Sequence, residues 1–145
     1  MKTAQNVIVV IVLLFSISLI AKQVDYGNVY CYYVSNYDGD TITVNIPSYP
    51  PIVGEKITVR INGIDCPELR TKSDKEKELA RTAKKLVNSL LENAKVIELR
   101  NMQRDKYFRI LADVYFDDKN LTEILLKNKL AVEYDGGTKT KDWSN

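Results

Sequence analysis

The stretch that most constrains the fold runs Ile57-Thr58-Val59-Arg60-Ile61-Asn62-Gly63-Ile64-Asp65-Cys66-Pro67-Glu68, beginning as a strand and ending as a loop with two carboxylates. Apolar residues alternate through its first half, so Ile57, Val59 and Ile61 share one face while Arg60 points to the other. Such a strand must lay its apolar face on a core and carry an arginine on its polar side, close to Asp65 and Glu68. That juxtaposition suits gripping a phosphate beside a metal ion. Read alone, it is equally a strand with a surface arginine and a turn at Pro67. Two further pieces tip the balance: Asp38-Gly39-Asp40-Thr41 upstream, and Asp105-Lys106-Tyr107-Phe108-Arg109 downstream.

The elements around this stretch follow from the same patterning. Val29-Tyr30-Cys31-Tyr32-Tyr33-Val34 is rich in β-formers and reads as a first strand. Asp38-Gly39 signals a tight turn, and residues 41–46 then alternate without interruption, with Ile42, Val44 and Ile46 inward. The pair is a hairpin. Residues 47–51 carry three prolines and cannot extend a ladder, so they read as a connection. Ser73 with Glu76 three residues on forms a capping box, and Leu79, Ala83, Leu86, Val87, Leu90 and Leu91 follow at helical spacing. A helix is expected over residues 74–92. Strands are expected over residues 95–100 and 109–116, and Asn120 with Glu123 caps a short helix over residues 121–128. Five short strands, one long helix and one short C-terminal helix make an α+β domain with a small sheet, closed or nearly so.

Composition narrows the chemistry. With 145 residues the chain is one domain's worth, and 21 basic against 19 acidic side chains rule out a strongly basic nucleic-acid coat. Any polyanion must be met by a local cluster. There is no histidine, which excludes histidine bases, histidine nucleophiles and histidine-ligated zinc.

Residues 1–21 stand apart: Lys2 precedes an uncharged, mostly apolar run over residues 7–20. As a helix that run reaches only about 21 Å against a ~30 Å hydrocarbon core, which fits a secretory signal. An uncleaved membrane anchor is the alternative, and a buried core segment the third reading. Export would permit a Cys31–Cys66 bridge worth roughly 4 kcal/mol by loop entropy. Because Cys66 sits inside the carboxylate loop, both cysteines are expected to be free thiols. The tail over residues 135–145, glycine-containing and charged, is expected to be loose.

In this order and at these spacings the three motifs resemble the staphylococcal nuclease (thermonuclease) family, calcium-dependent enzymes that cut DNA and RNA. The resemblance runs over residues 32–134, leaving a domain at residues 28–134 between leader and tail. It implies a five-stranded OB-type β-barrel and a nuclease with DNA and RNA as substrates, little sequence preference and 3′-phosphate products. By resemblance, Asp40, Asp65 and the backbone carbonyl of Cys66 hold one Ca²⁺, with Mg²⁺ as the other hard ion such oxygens suit. Arg60 and Arg109 contact the phosphate, and Glu68 is the general base. Lys106 and Tyr107 flank the nucleotide, and Tyr134 supports the base. The protein is expected to act as an exported monomer, meeting a membrane only if the leader is retained.

Each of these residues also has an ordinary structural explanation: turn chemistry for Asp38 and Asp40, surface ion pairs for the arginines, packing for the tyrosines. The rival function is a non-catalytic OB-type module binding nucleic acid or protein, for which the paired aspartates, Glu68 and both arginines are superfluous. A membrane-held barrel that only docks a partner is the third reading. Two departures from the family stand out. Phe108 occupies the place of the usual glycine, which costs about 1 kcal/mol if φ is positive there. The family's third C-terminal helix has no counterpart, so residues 136–143 are expected to cover that side of the barrel.

Overall fold

A computed structural model describes residues 25–139 and 141–144. The leader expected over residues 1–21 lies outside the described residues. Among those described, no helix is long and apolar enough to cross a membrane.

The chain runs β1 (Val29–Asn36), β2 (Thr41–Asn45), α1 (Pro51–Gly54), β3 (Ile57–Ile61), β4 (Ile64–Asp65), α2 (Asp74–Glu92), β5 (Ile97–Arg104), β6 (Ile110–Phe116), β7 (Lys119–Asn120), α3 (Leu121–Lys127) and β8 (Val132–Glu133). Strand order is β3-β2-β1-β5-β6, and β3 also pairs with β6, so five strands close into a barrel. The closure is parallel, with Val59 opposite Ile110, Arg60 opposite Leu111 and Ile61 opposite Ala112. The other barrel pairings are antiparallel. This is the α+β OB-type barrel expected, with one long helix and one short C-terminal helix. The pairing that closes it joins segments about fifty residues apart, which local patterning cannot reveal.

The barrel interior is filled from the alternating faces. Ile42, Val44, Ile46, Val59 and Ile61 are buried as the periodicity requires, with Leu99, Ala112 and Val114 opposite them. α2 presents Ala80, Ala83, Val87 and Leu91 to this core, and α3 presents Leu121 and Leu125. Ser73 accepts the Glu76 N–H at 3.2 Å, and Asn120 accepts those of Thr122 and Glu123, so both helices start where the caps predict. The connection read over residues 47–51 contains one unforeseen element. Pro51 opens the single-turn helix α1, where a missing N–H costs nothing.

Two short segments position the site. Asn62-Gly63 turns between β3 and β4, and Gly63 takes φ 78°, a conformation that disfavours a side chain. Asp65 then pairs with Val132, and Ile64 with Glu133, tying the start of the tail to the carboxylate loop. In the tail, read from the sequence as loose, Lys139 reaches two site carboxylates and Trp143 is only 7% exposed.

Candidate active site

The Asp38-Gly39-Asp40 loop is pressed onto the molecule. A Cβ at Gly39 would sit 2.8 Å from both Ala83 Cβ and Cys66 Sγ, so only glycine allows this loop to lie against α2 and the Cys66 loop. Asn36, buried beneath it, donates to the Asp38 carbonyl at 2.7 Å and the Lys84 carbonyl at 3.0 Å. Its side-chain Oδ1 accepts the Tyr33 hydroxyl at 2.7 Å. The loop is thereby fastened to the barrel on one side and to the long helix on the other.

Arg60 stands at the barrel closure, between Thr41 of β2 and Leu111 of β6. Its guanidinium pairs with the Asp40 carboxylate and donates to the Asp40 carbonyl at 3.3 Å, the Ile64 carbonyl at 3.1 Å and Asp65 Oδ1 at 3.3 Å. Two aspartates from two strand ends therefore converge on one cation. Asp40 Oδ2 also accepts the Cys66 N–H at 2.8 Å, which locks the Asp65-Cys66 loop to the Asp40 loop. Burial pushes the Asp38 carboxyl above its ordinary value, a trend Glu68 reinforces and Arg60 opposes.

Glu68 lies at the rim with its side chain about half exposed. Its N–H donates to Glu76 Oε1 at 3.1 Å, so the capping-box glutamate holds this loop rather than reaching back to its own cap. Lys139 Nζ lies 2.7 Å from Glu68 Oε1 and 2.8 Å from Asp65 Oδ1. Burial alone would lower the Lys139 pKa, but the hydrogen bonds to Asp65 and Glu68 outweigh it and raise it.

On the opposite wall the β5–β6 turn is organised by Asp105. Its carboxylate accepts the N–H groups of Tyr107 at 2.8 Å and Arg109 at 2.9 Å, and Arg109 Nε at 2.7 Å. Burial would raise this carboxyl, but these donors, Arg109 foremost, hold it below its ordinary value. Phe108 is at φ 62° and 83% exposed, so it does adopt the left-handed region. The Arg109 guanidinium and the Lys106 ammonium lie 5.5 and 5.4 Å from the Tyr107 ring.

These pieces share one cleft of about 580 Å³, lined by Asp40, Arg60, Glu68, Lys106, Tyr107, Arg109 and Tyr134 among others. Asp65 and Cys66 lie just behind it. The Cys66 thiol packs into the core, and burial pushes it up to about 12. Both cysteines are free and buried, as expected. A larger groove of about 760 Å³ runs beside β1 and the end of α2, with Glu92 and Lys95 its only formally charged side chains. It lacks any convergence of acids and arginines. Sequence reasoning missed Asn36, Glu76 and Lys139. Glu76 carried a signal in its capping box, whereas Lys139 had none.

The donor set suits a hard ion in kind: oxygens from Asp40 and Asp65, with no histidine in the chain. It is sparse in number. Among the described residues no three acidic or cysteine side chains gather as a ready-made metal site. Backbone oxygen, water and a substrate phosphate must complete any coordination shell.

Comparison with known proteins gives a family match, described as staphylococcal nuclease homologue, over residues 58–143, more than half of the chain. Asp40 lies outside that span. Two relatives come from Bacillus subtilis (strain 168). Endonuclease YncB is 38% identical over 96 residues, covering 65% of this chain and 43% of the relative. The SPbeta prophage-derived endonuclease YokF is likewise 38% identical over 96 residues, covering 65% of this chain and 30% of its own length. The chain thus matches less than half the length of each relative.

Proposed function

The chain belongs to the staphylococcal nuclease homologue family, and from that premise we propose that it is a metal-dependent nuclease hydrolysing phosphodiester bonds in DNA and RNA with little sequence preference. The observation that carries this reading is the convergence of Asp40, Asp65, Arg60 and Glu68 at one cleft whose far wall bears Arg109. A nucleic-acid or protein-binding barrel has no use for that combination. Both relatives are named as endonucleases, which supports the same class of chemistry.

In this reading Asp40, Asp65 and the Cys66 carbonyl would hold one Ca²⁺, or Mg²⁺ in its place. A bound ion supplies Lewis-acid polarisation of the phosphoryl oxygen and neutralises charge there. The chain's own groups do the rest. Glu68, half exposed at the cleft rim, takes the proton of the attacking water as its oxygen bonds to phosphorus and the leaving oxygen departs. Arg60 and Arg109, each pre-oriented by carboxylates, neutralise the pentacoordinate charge without reorganising at that moment. Tyr107 and Lys106 flank the nucleotide, and Tyr134 supports a base. Export, a monomeric state and a 3′-phosphate product belong to the same proposal.

The test is cleavage of DNA and RNA by the purified full chain with Ca²⁺, with Mg²⁺, and after EDTA. Activity restored by Ca²⁺ and abolished by EDTA is expected. Undiminished cleavage in EDTA would overturn the metal assignment.

A further inference from the structure

Lys139 is a cation at the acidic site that the nuclease mechanism does not use. Its ammonium bridges Asp65 Oδ1 at 2.8 Å and Glu68 Oε1 at 2.7 Å. The segment carrying it is fastened at its start to the loop it contacts. Val132 pairs with Asp65, the Tyr134 N–H donates to the Gly63 carbonyl at 2.9 Å, and the Tyr134 hydroxyl donates to the Gly137 carbonyl at 2.7 Å. Beyond it, Trp143 is buried. The strand pair that presents Asp65 therefore also delivers the lysine.

Resting on the metal-dependent reading above, we infer that Lys139 is an internal counter-cation of the divalent-ion site, seated on Asp65 and Glu68 in the ion-free protein and displaced when the ion enters.

Charge and geometry both support this. A Ca²⁺ ion takes oxygen ligands at roughly 2.3–2.6 Å, so an ion on Asp65 would face an ammonium hydrogen-bonded to the same carboxylate. Like charges that close repel strongly even where the surroundings screen them well. One cation must yield, and two are candidates. Arg60 Nη2 also reaches Asp65 Oδ1, at 3.3 Å, but its guanidinium has four acceptors and its side chain is 12% exposed. Lys139 has two carboxylate partners, is 46% exposed, and hangs on a flexible stem. The lysine is the one that leaves. Ion affinity is then set partly by the tail, remote in sequence from the aspartates.

The test compares Ca²⁺ binding to the full chain and to Lys139→Gln by isothermal titration calorimetry, together with the rise in Tm on adding Ca²⁺. The variant should bind Ca²⁺ roughly fivefold more tightly, the factor for one half-exposed ion pair no longer given up. Lys139→Arg should move affinity back toward wild type. Equal or weaker Ca²⁺ binding by Lys139→Gln would overturn the inference. So would a lower ion-free Tm with unchanged Ca²⁺ affinity, which would make the lysine a brace for the tail only. Absence of Ca²⁺ binding in both proteins would instead overturn the metal-dependent reading itself, and this inference with it.

Discussion

Asp105 clasps Arg109 through two bonds, one to its backbone N–H at 2.9 Å and one to its Nε at 2.7 Å, and so fixes both the path and the head group of the arginine. The same carboxylate takes the Tyr107 N–H, leaving Phe108 at the apex with φ 62°. The clasp holds the turn in shape around a side chain in the left-handed region.

Phe108→Gly should therefore stabilise the protein. The phenyl ring is 83% exposed and contributes little burial, while relief of the left-handed conformation is worth about 1 kcal/mol. Thermal unfolding checks this. A higher Tm is expected, and a lower one would mean the ring packs usefully after all.

The clasp also predicts a pH dependence. Because the folded-state value of Asp105 lies below its ordinary one, its contribution is present above the ordinary carboxylate value and disappears as pH falls through the depressed one. Asp105→Asn should lower Tm at neutral pH, and the gap to wild type should close as pH falls below the ordinary carboxylate value of about 4. A gap that persisted unchanged to the acid limit would show that the charge of Asp105 contributes nothing.

Arg60 carries a structural duty beside its proposed chemical one. Its side chain is 12% exposed and satisfies Asp40 and Asp65, whose side chains are 7% and 5% exposed. Arg60→Ala leaves the buried Asp40 carboxylate without its cation, while Asp65 keeps Lys139, and should cost about 3–5 kcal/mol in urea denaturation. Arg60→Lys keeps the charge but not the fork, so its loss should be smaller. Unchanged stability in Arg60→Ala would contradict this account of how the Asp40 and Asp65 loops are joined.

Much of this arrangement was legible beforehand because it is local. Alternation at Ile42, Val44 and Ile46 and at Val59 and Ile61 assigns the inward face, and Ser73 and Asn120 mark where the helices begin. What escaped depends on distant segments meeting. The parallel Arg60–Leu111 register closes the barrel across fifty intervening residues, and no periodicity encodes it. Pro51-Ile52-Val53-Gly54 is too short to show a helical stripe. Lys139 is one of 21 basic residues in the chain, set in a polar tail. Only the short pairing of Val132 with Asp65, followed by the turn at Tyr134, aims that tail at the carboxylates.

Glu68→Gln tests the central claim most directly. The substitution keeps the side chain's shape and leaves intact the Glu68 N–H bond to Glu76, so the loop should stay in place, which circular dichroism and Tm would verify. Single-turnover cleavage of DNA in saturating Ca²⁺ then reads the chemical step alone. The account predicts a folded variant slower than wild type by on the order of 10²–10³, the usual scale for losing a positioned general base. A folded Glu68→Gln protein that cuts DNA at the wild-type rate would contradict it.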